Sequence, residues 1–177
     1  AARARAADVV PTLPAPRAVR SAALPQIQRK WALLIGTDVY ADSRIPQLDN
    51  AVADVEAVAR SLETRLGYQT VVVRNGGKAA LLRAFNQLAA VVAPSDSVAI
   101  YYAGHGELVD KTGLGYWQPS DADASRPETW LSNTDIGRLM GQLGASQVVL
   151  VSDSCFSGSL VSDERIRGSG ATAAVQM

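Results

Sequence analysis

The sequence has one cysteine and one histidine among 177 residues. A single thiol excludes an intrachain disulfide framework and any cysteine-cluster zinc site. With one imidazole beside it, a zinc ion would need mostly carboxylates, a poor match to its usual ligands. Cys155 is therefore inert packing, a stray thiol or a nucleophile. An excess of either charge is lacking too: 17 basic residues balance 17 acidic ones, so nothing favours nucleic acid or an anionic membrane as the partner. No apolar run approaches the roughly 20 residues that cross a bilayer. Neither G-x-x-x-x-G-K-S/T nor G-x-G-x-x-G follows the first apolar segment, and the Gly113-Leu-Gly115 pair is too slight to suggest a nucleotide. The chain opens on Ala1 rather than Met, so a removed leader and a truncated start look alike and the compartment stays open.

Hydrophobic residues make up 47% of the chain and charged ones 19%, which suits a globular domain. Residues 1–28 stand apart. Pro11, Pro14, Pro16 and Pro25 break any helix there, and no apolar period is visible. This stretch reads as a flexible, solvated Ala/Arg/Pro-rich arm. From residue 29 the pattern becomes strand–helix alternation. Trp31–Gly36 is a continuous apolar run ended by glycine, as in a strand buried on both faces. Ala51, Val55, Val58, Leu62 and Leu66 recur with helical spacing up to the stop at Gly67. A β-branched strand follows over residues 68–74. The next helix carries Leu81, Phe85, Leu88 and Val92 on one face and is closed by Pro94.

A third strand, Ser97–Ala103, runs into Gly104-His105-Gly106. Residues 107–130, with Gly113, Gly115, Pro119 and Pro127, predict a long loop or hairpin. Ser132 and Asp135 resemble a capping box ahead of Ile136, Leu139, Met140 and Leu143. A fourth strand, Gln147–Ser152, leads straight into Asp153-Ser-Cys-Phe-Ser-Gly158. The alternation predicts a parallel sheet with helices on both faces.

In such a sheet ligands bind beyond the carboxyl ends of the strands. His105 and Cys155 each follow a strand's end, so neighbouring strands would bring imidazole and thiol into one crevice. Only a few per cent of an ordinary thiol is thiolate at neutral pH. An imidazole beside it favours the thiolate or acts as base, and can protonate a leaving amine. The Gly106 and Cys155 amides could approach a developing oxyanion.

These residues also look like a known family. Tyr101-Tyr-Ala-Gly-His-Gly106 resembles the histidine motif of the caspase-like peptidases. Asp153-Ser-Cys-Phe-Ser-Gly158 resembles the cysteine motif of their bacterial and metacaspase-type branch, and the 50 positions from His105 to Cys155 suit it. Phe156 departs from the metacaspases proper, which commonly carry a second histidine there. The resemblance implies a three-layer αβα fold with a mostly parallel sheet, its catalytic part spanning residues 29–160. It also implies two further strands after the nucleophile, the small-subunit equivalent. Residues 161–177 show no strand pattern and read as a flexible polar tail or intersubunit linker, so the last strands are expected to be missing.

The activity implied is that of a cysteine endopeptidase working through His105 and Cys155 on protein or peptide substrates, in a bacterial cytoplasm or after export. The alternative is a catalytically silent module of the same fold that binds or regulates a partner. The missing small-subunit segment is a further implied partner. The resemblance implies that Asp54, in Leu48-Asp-Asn-Ala-Val-Ala-Asp54, and Asp153 line the first specificity pocket. Two carboxylates there would select Arg or Lys before the scissile bond and repel Asp. As plain structure, Asp54 would favour its helix N-terminus and Asp153 would cap a turn. No cofactor is expected. Some metacaspases need calcium, and Asp110, Asp121 and Asp123 could offer oxygens, but their spacing matches no calcium loop and no metal is assigned.

Overall fold

A computed structural model describes residues 26–109, 111–154 and 171–176. Its first strand, β1 (Lys30–Gly36), is the apolar run, with Ala32 through Gly36 buried. Strand β2 (Gln69–Arg74), strand β3 (Ser97–Ala103), strand β7 (Gln147–Asp153) and strand β8 (Ala171–Gln176) join it in a five-stranded parallel sheet ordered β2-β1-β3-β7-β8. Three short strands, β4 (Gly106–Val109), β5 (Leu114–Trp117) and β6 (Leu131–Ser132), form a separate antiparallel sheet. The span expected to be a loop or hairpin is thus a hairpin, extended by one more strand.

Alternate residues of the central strands feed opposite cores, as period-two geometry requires. Leu33, Ile35, Val98, Ile100, Tyr102, Val148 and Leu150 meet helix α2 (Lys78–Val91) and helix α3 (Asn133–Gly141) on one face. Ala32, Leu34, Ala103 and partly buried Tyr101 meet helix α1 (Ala51–Leu66) on the other. The three-layer αβα arrangement is the one anticipated. Gly36 is where α1 comes closest. A Cβ at that position would lie 2.7 Å from Val55 Cγ2 and 2.8 Å from the Ala51 carbonyl, so only glycine lets the helix seat. Gly67 ends α1 in the left-handed conformation (φ 69°). Ser132 Oγ accepts the Asp135 N–H at 3.0 Å, the cap expected of α3.

Two expectations need correction. Leu66, placed on the apolar stripe of α1, is 54% exposed; its carbonyl ends the helix and accepts Lys30 Nζ at 3.1 Å. The tail without a strand pattern forms β8 over Ala171–Gln176, parallel to β7. Only Thr172 and Val175 are β-branched in that segment, so the signal lies in the open β7 edge rather than in local propensity. One strand after the expected nucleophile is therefore present.

The amino end of the sheet is fastened around a buried carboxylate. Asp96 accepts Arg29 Nε and Nη2, Trp31 Nε1 and the Ala93 N–H. Burial pushes its carboxyl up, but the guanidinium and the hydrogen bonds outweigh this and hold it below the usual range. Among the described residues no helix is long and apolar enough to cross a membrane.

Candidate active site

Strands β1, β3 and β7 end level with one another. Gly36 pairs with Ala103, and Ala103 with Asp153. Backbone bonds carry the alignment one residue further, from Thr37 N–H to the Ala103 carbonyl (3.0 Å) and from Gly104 N–H to the Asp153 carbonyl (3.4 Å). The turn holding His105 and the turn beginning at Ser154 therefore leave adjacent strands at one edge, the carboxyl edge where parallel sheets bind ligands. Cys155 itself lies outside the described residues.

His105 is half-buried and held from three sides. Its N–H donates to Tyr40 Oη at 2.8 Å. Its carbonyl accepts Tyr102 Oη at 2.7 Å and the Gln118 N–H at 3.0 Å. Its ring Nε2 lies 2.9 Å from the Pro46 carbonyl. A carbonyl oxygen only accepts, so Nε2 carries the hydrogen and the neutral ring keeps its lone pair on Nδ1. The Tyr40 ring packs against the imidazole at 5.1 Å between centroids. Burial pushes the Tyr40 phenol up to about 12, so it stays a neutral donor and acceptor across the physiological range.

The bond between His105 and Gln118 also orients Gly106. Bonded and non-bonded pairs alternate along an antiparallel ladder. Gln118 and His105 form a bonded position, so the Gly106–Trp117 pair is a non-bonded one, and the Gly106 N–H points away from β5. Strand β4 is the edge of its sheet, so among the described residues that N–H faces no other strand. A Cβ on Gly106 would lie 3.0 Å from Ser154 Oγ. Ser154 is tied back through Ser152: Trp117 Nε1 donates to Ser152 Oγ at 3.2 Å, and the two serine hydroxyls are 3.1 Å apart. Trp117 stacks on Tyr102 at 4.2 Å, so one buried aromatic pair supports both turns.

Asp54 and Asp153, expected to line one pocket, both act on Tyr101. Tyr101 lies on the α1 face of the sheet, and its phenol is pushed up by burial, then by the charges of Asp153 and Asp54, with a hydrogen bond to Asp153 adding to this. Both carboxylates are on exposed residues. The loop acids have structural partners instead. Asp121 accepts the Lys78 N–H at the start of α2 (2.8 Å), and Asp123 pairs with Arg44 and accepts the Ser125 N–H. Asp110 lies outside the described residues. Among the described residues no three acidic, histidine or cysteine side chains form a metal-binding group.

The model of the caspase domain matches residues 29–175. The chain belongs to the caspase domain family. That is a family of cysteine peptidases. Solved structures agree on the caspase fold. A protein from Geobacter sulfurreducens is 22% identical with a TM-score of 0.60, over 72% of this chain and 51% of that one. The Drosophila initiator caspase Dronc is 12% identical with a TM-score of 0.56, over 81% and 61%. Caspase-1 from Spodoptera frugiperda is 14% identical with a TM-score of 0.53, over 81% and 54%. The chain thus spans between half and two thirds of the length of these structures. No curated protein matches it significantly in sequence.

Sequence reasoning missed Tyr40, Pro46, Gln47 and Trp117 around the caspase-like histidine. No motif marks the first three, because they act partly through main-chain atoms on an irregular loop. Trp117 carried a signal in being a tryptophan within a glycine-rich hairpin, where so large a side chain must find cover.

Proposed function

We propose that this caspase-family chain carries the catalytic dyad of a cysteine endopeptidase, with Cys155 as nucleophile and His105 as its base and acid. The observation that supports this most is the parallel β3–β7 pairing, which sets Ala103 level with Asp153 and so puts the two motif turns side by side. With Nε2 bound to the Pro46 carbonyl, the Nδ1 lone pair is the one available to take the thiol proton. The thiolate attacks the scissile carbonyl carbon, and the C=O electron pair moves onto oxygen. The outward N–H of Gly106, with that of Cys155, would receive this oxyanion. The imidazolium then protonates the departing amine as the C–N bond breaks. Water, deprotonated by the imidazole, releases the acyl group and restores the thiol. Only the thiol, the imidazole and backbone N–H groups are used, so the reading calls for no cofactor.

Specificity on this reading is for Arg or Lys before the cleaved bond. The charges that Asp54 and Asp153 both exert on Tyr101 support it, since a guanidinium or ammonium there would be drawn to two carboxylates. An aspartate side chain would meet two like charges. Substrates would be proteins or peptides, and a further segment equivalent to the small subunit would complete the groove. The test is the full-length protein on matched peptides ending in Arg, Lys or Asp. Turnover of the basic peptides alone is expected. A preference for Asp would overturn the pocket, and turnover of none, from folded protein with its segments present, would overturn the peptidase.

A further inference from the structure

The loop between β1 and α1 carries Pro46, and it is held in an unusual way. Gln47 makes a two-point clamp on the backbone of Tyr40: its Oε1 accepts the Tyr40 N–H at 2.9 Å, and its Nε2 donates to the Tyr40 carbonyl at 3.0 Å. A side-chain amide here replaces the reciprocal pairing that a neighbouring strand would supply. Tyr40 is 3% exposed, and its hydroxyl is used twice, accepting from the His105 N–H and donating to the Thr37 carbonyl at 3.3 Å. The residue beside Gln47 is Pro46, whose carbonyl receives His105 Nε2. One carboxamide therefore couples both groups that fix His105, the phenol on its backbone and the carbonyl on its ring.

We propose that Gln47 and Tyr40 are positioning residues that set the tautomer and placement of His105 through this clamp; the proposal takes its catalytic meaning from the peptidase reading, but its geometry stands apart from it. Neither side chain need touch substrate. The surroundings make the clamp the adjustable element. Ile45 and Tyr40 pack with Ala122 and Trp130 in a small apolar cluster, and the Ala41 N–H donates to the Ser120 carbonyl at 2.8 Å, so the loop's outer part is fixed independently. Between these anchors, Pro46 and Gln47 are exposed. The Gln47 amide bonds hold that segment inward together with the Leu48 N–H, which donates to the Asp38 carbonyl at 2.9 Å. Without them the Pro46 carbonyl can move off Nε2, and the ring is then free to place its hydrogen on Nδ1, the atom that must be bare to accept a proton from a thiol.

The variants are Gln47→Met, which keeps length and removes both bonds, and Tyr40→Phe, which removes the hydroxyl. Imidazole nitrogen NMR on the full-length protein in a Cys155→Ala background reads the tautomer directly, with the His105 signals assigned by their loss in His105→Ala. Spectra are taken at alkaline pH, where an ordinary imidazole of pKa about 6.5 is neutral. The parent should show the ring with its hydrogen on Nε2 and Gln47→Met a mixture of tautomers, while Tyr40→Phe, which keeps the clamp on its backbone, should act on kcat through the placement of His105. In the active background kcat should fall about tenfold or more while KM stays within about twofold. Asp96→Asn, at the opposite end of the sheet, controls for lost stability and should leave the tautomer unchanged. Parent-like tautomers and kcat in both folded variants would overturn the proposal, as would a tautomer shift of equal size in the control. A protein without turnover but with the expected spectra would refute the peptidase reading and keep the positioning one.

Discussion

Replacing Gly106 by alanine adds one methyl group where the two motif turns touch. The new Cβ would lie 3.0 Å from Ser154 Oγ, 3.2 Å from Ser154 Cβ and 3.4 Å from the Tyr116 carbonyl. Ser154 cannot swing away freely, because its hydroxyl is 3.1 Å from that of Ser152, which in turn accepts Trp117 Nε1. The clash is therefore relieved by moving the turn that leads into Cys155 by a few tenths of an ångström. Overpacking of this kind costs about 1–3 kcal/mol, and the stiffer unfolded chain of an alanine variant returns roughly 0.4–1 kcal/mol. A net loss of about 1 kcal/mol lowers Tm by roughly 2–4 °C in a domain of this size. Activity should suffer far more. A misplacement of 1 Å can cost about a hundredfold, and the methyl also crowds the N–H proposed for the oxyanion, where a lost donor costs on the order of 100-fold to 1,000-fold. Gly106→Ala should therefore lose between about tenfold and a hundredfold in kcat/KM against a small thermal shift. Thermal melts by circular dichroism and steady-state kinetics on one preparation check this. A kcat/KM within about twofold of the parent would refute the placement of Gly106 against the cysteine turn.

Asp96→Asn should destabilise the protein by about 2 kcal/mol, less than a fully buried pair would lose because Arg29 is partly exposed. Its carboxyl is held below the usual range, so its contribution is present above the ordinary carboxylate pKa of about 4 and is lost as pH falls through the lowered value. Tm followed from neutral to acid pH should fall more steeply in the parent than in the variant, and parallel curves would contradict the assignment. Asp153→Ala should cut kcat/KM for an Arg peptide by about tenfold or more while sparing a peptide with a neutral residue there. Equal losses on both peptides, measured side by side, would point to a role in the turn instead.

The parts most legible in the sequence were those where one local pattern decides the outcome. The apolar run of β1 demanded burial on both faces, those of β3 and β7 marked strands, and the helices α1 and α3 announced their ends through Gly67 and Ser132. The histidine turn was visible because glycine flanks it on both sides. What was not legible depends on partners far away in sequence. Strand β8 takes its pairing from β7, and Leu66 is exposed because it is the last residue of its helix. The surroundings of His105 come from Tyr40 and Pro46, more than fifty positions earlier, through a hydroxyl and a main-chain oxygen. A main-chain oxygen leaves no residue-type signature, so no motif could have named Pro46.

The central claim is that His105 activates Cys155 as a nucleophile toward peptides. The most direct measurement treats the full-length protein with a peptidyl electrophile ending in arginine and locates the adduct by mass spectrometry. One adduct per chain is predicted, on Cys155, formed much faster than on a free thiol and reduced to the free-thiol rate in His105→Ala. Labelling of Cys155 no faster than a free thiol, or labelling indifferent to the loss of His105, would contradict it.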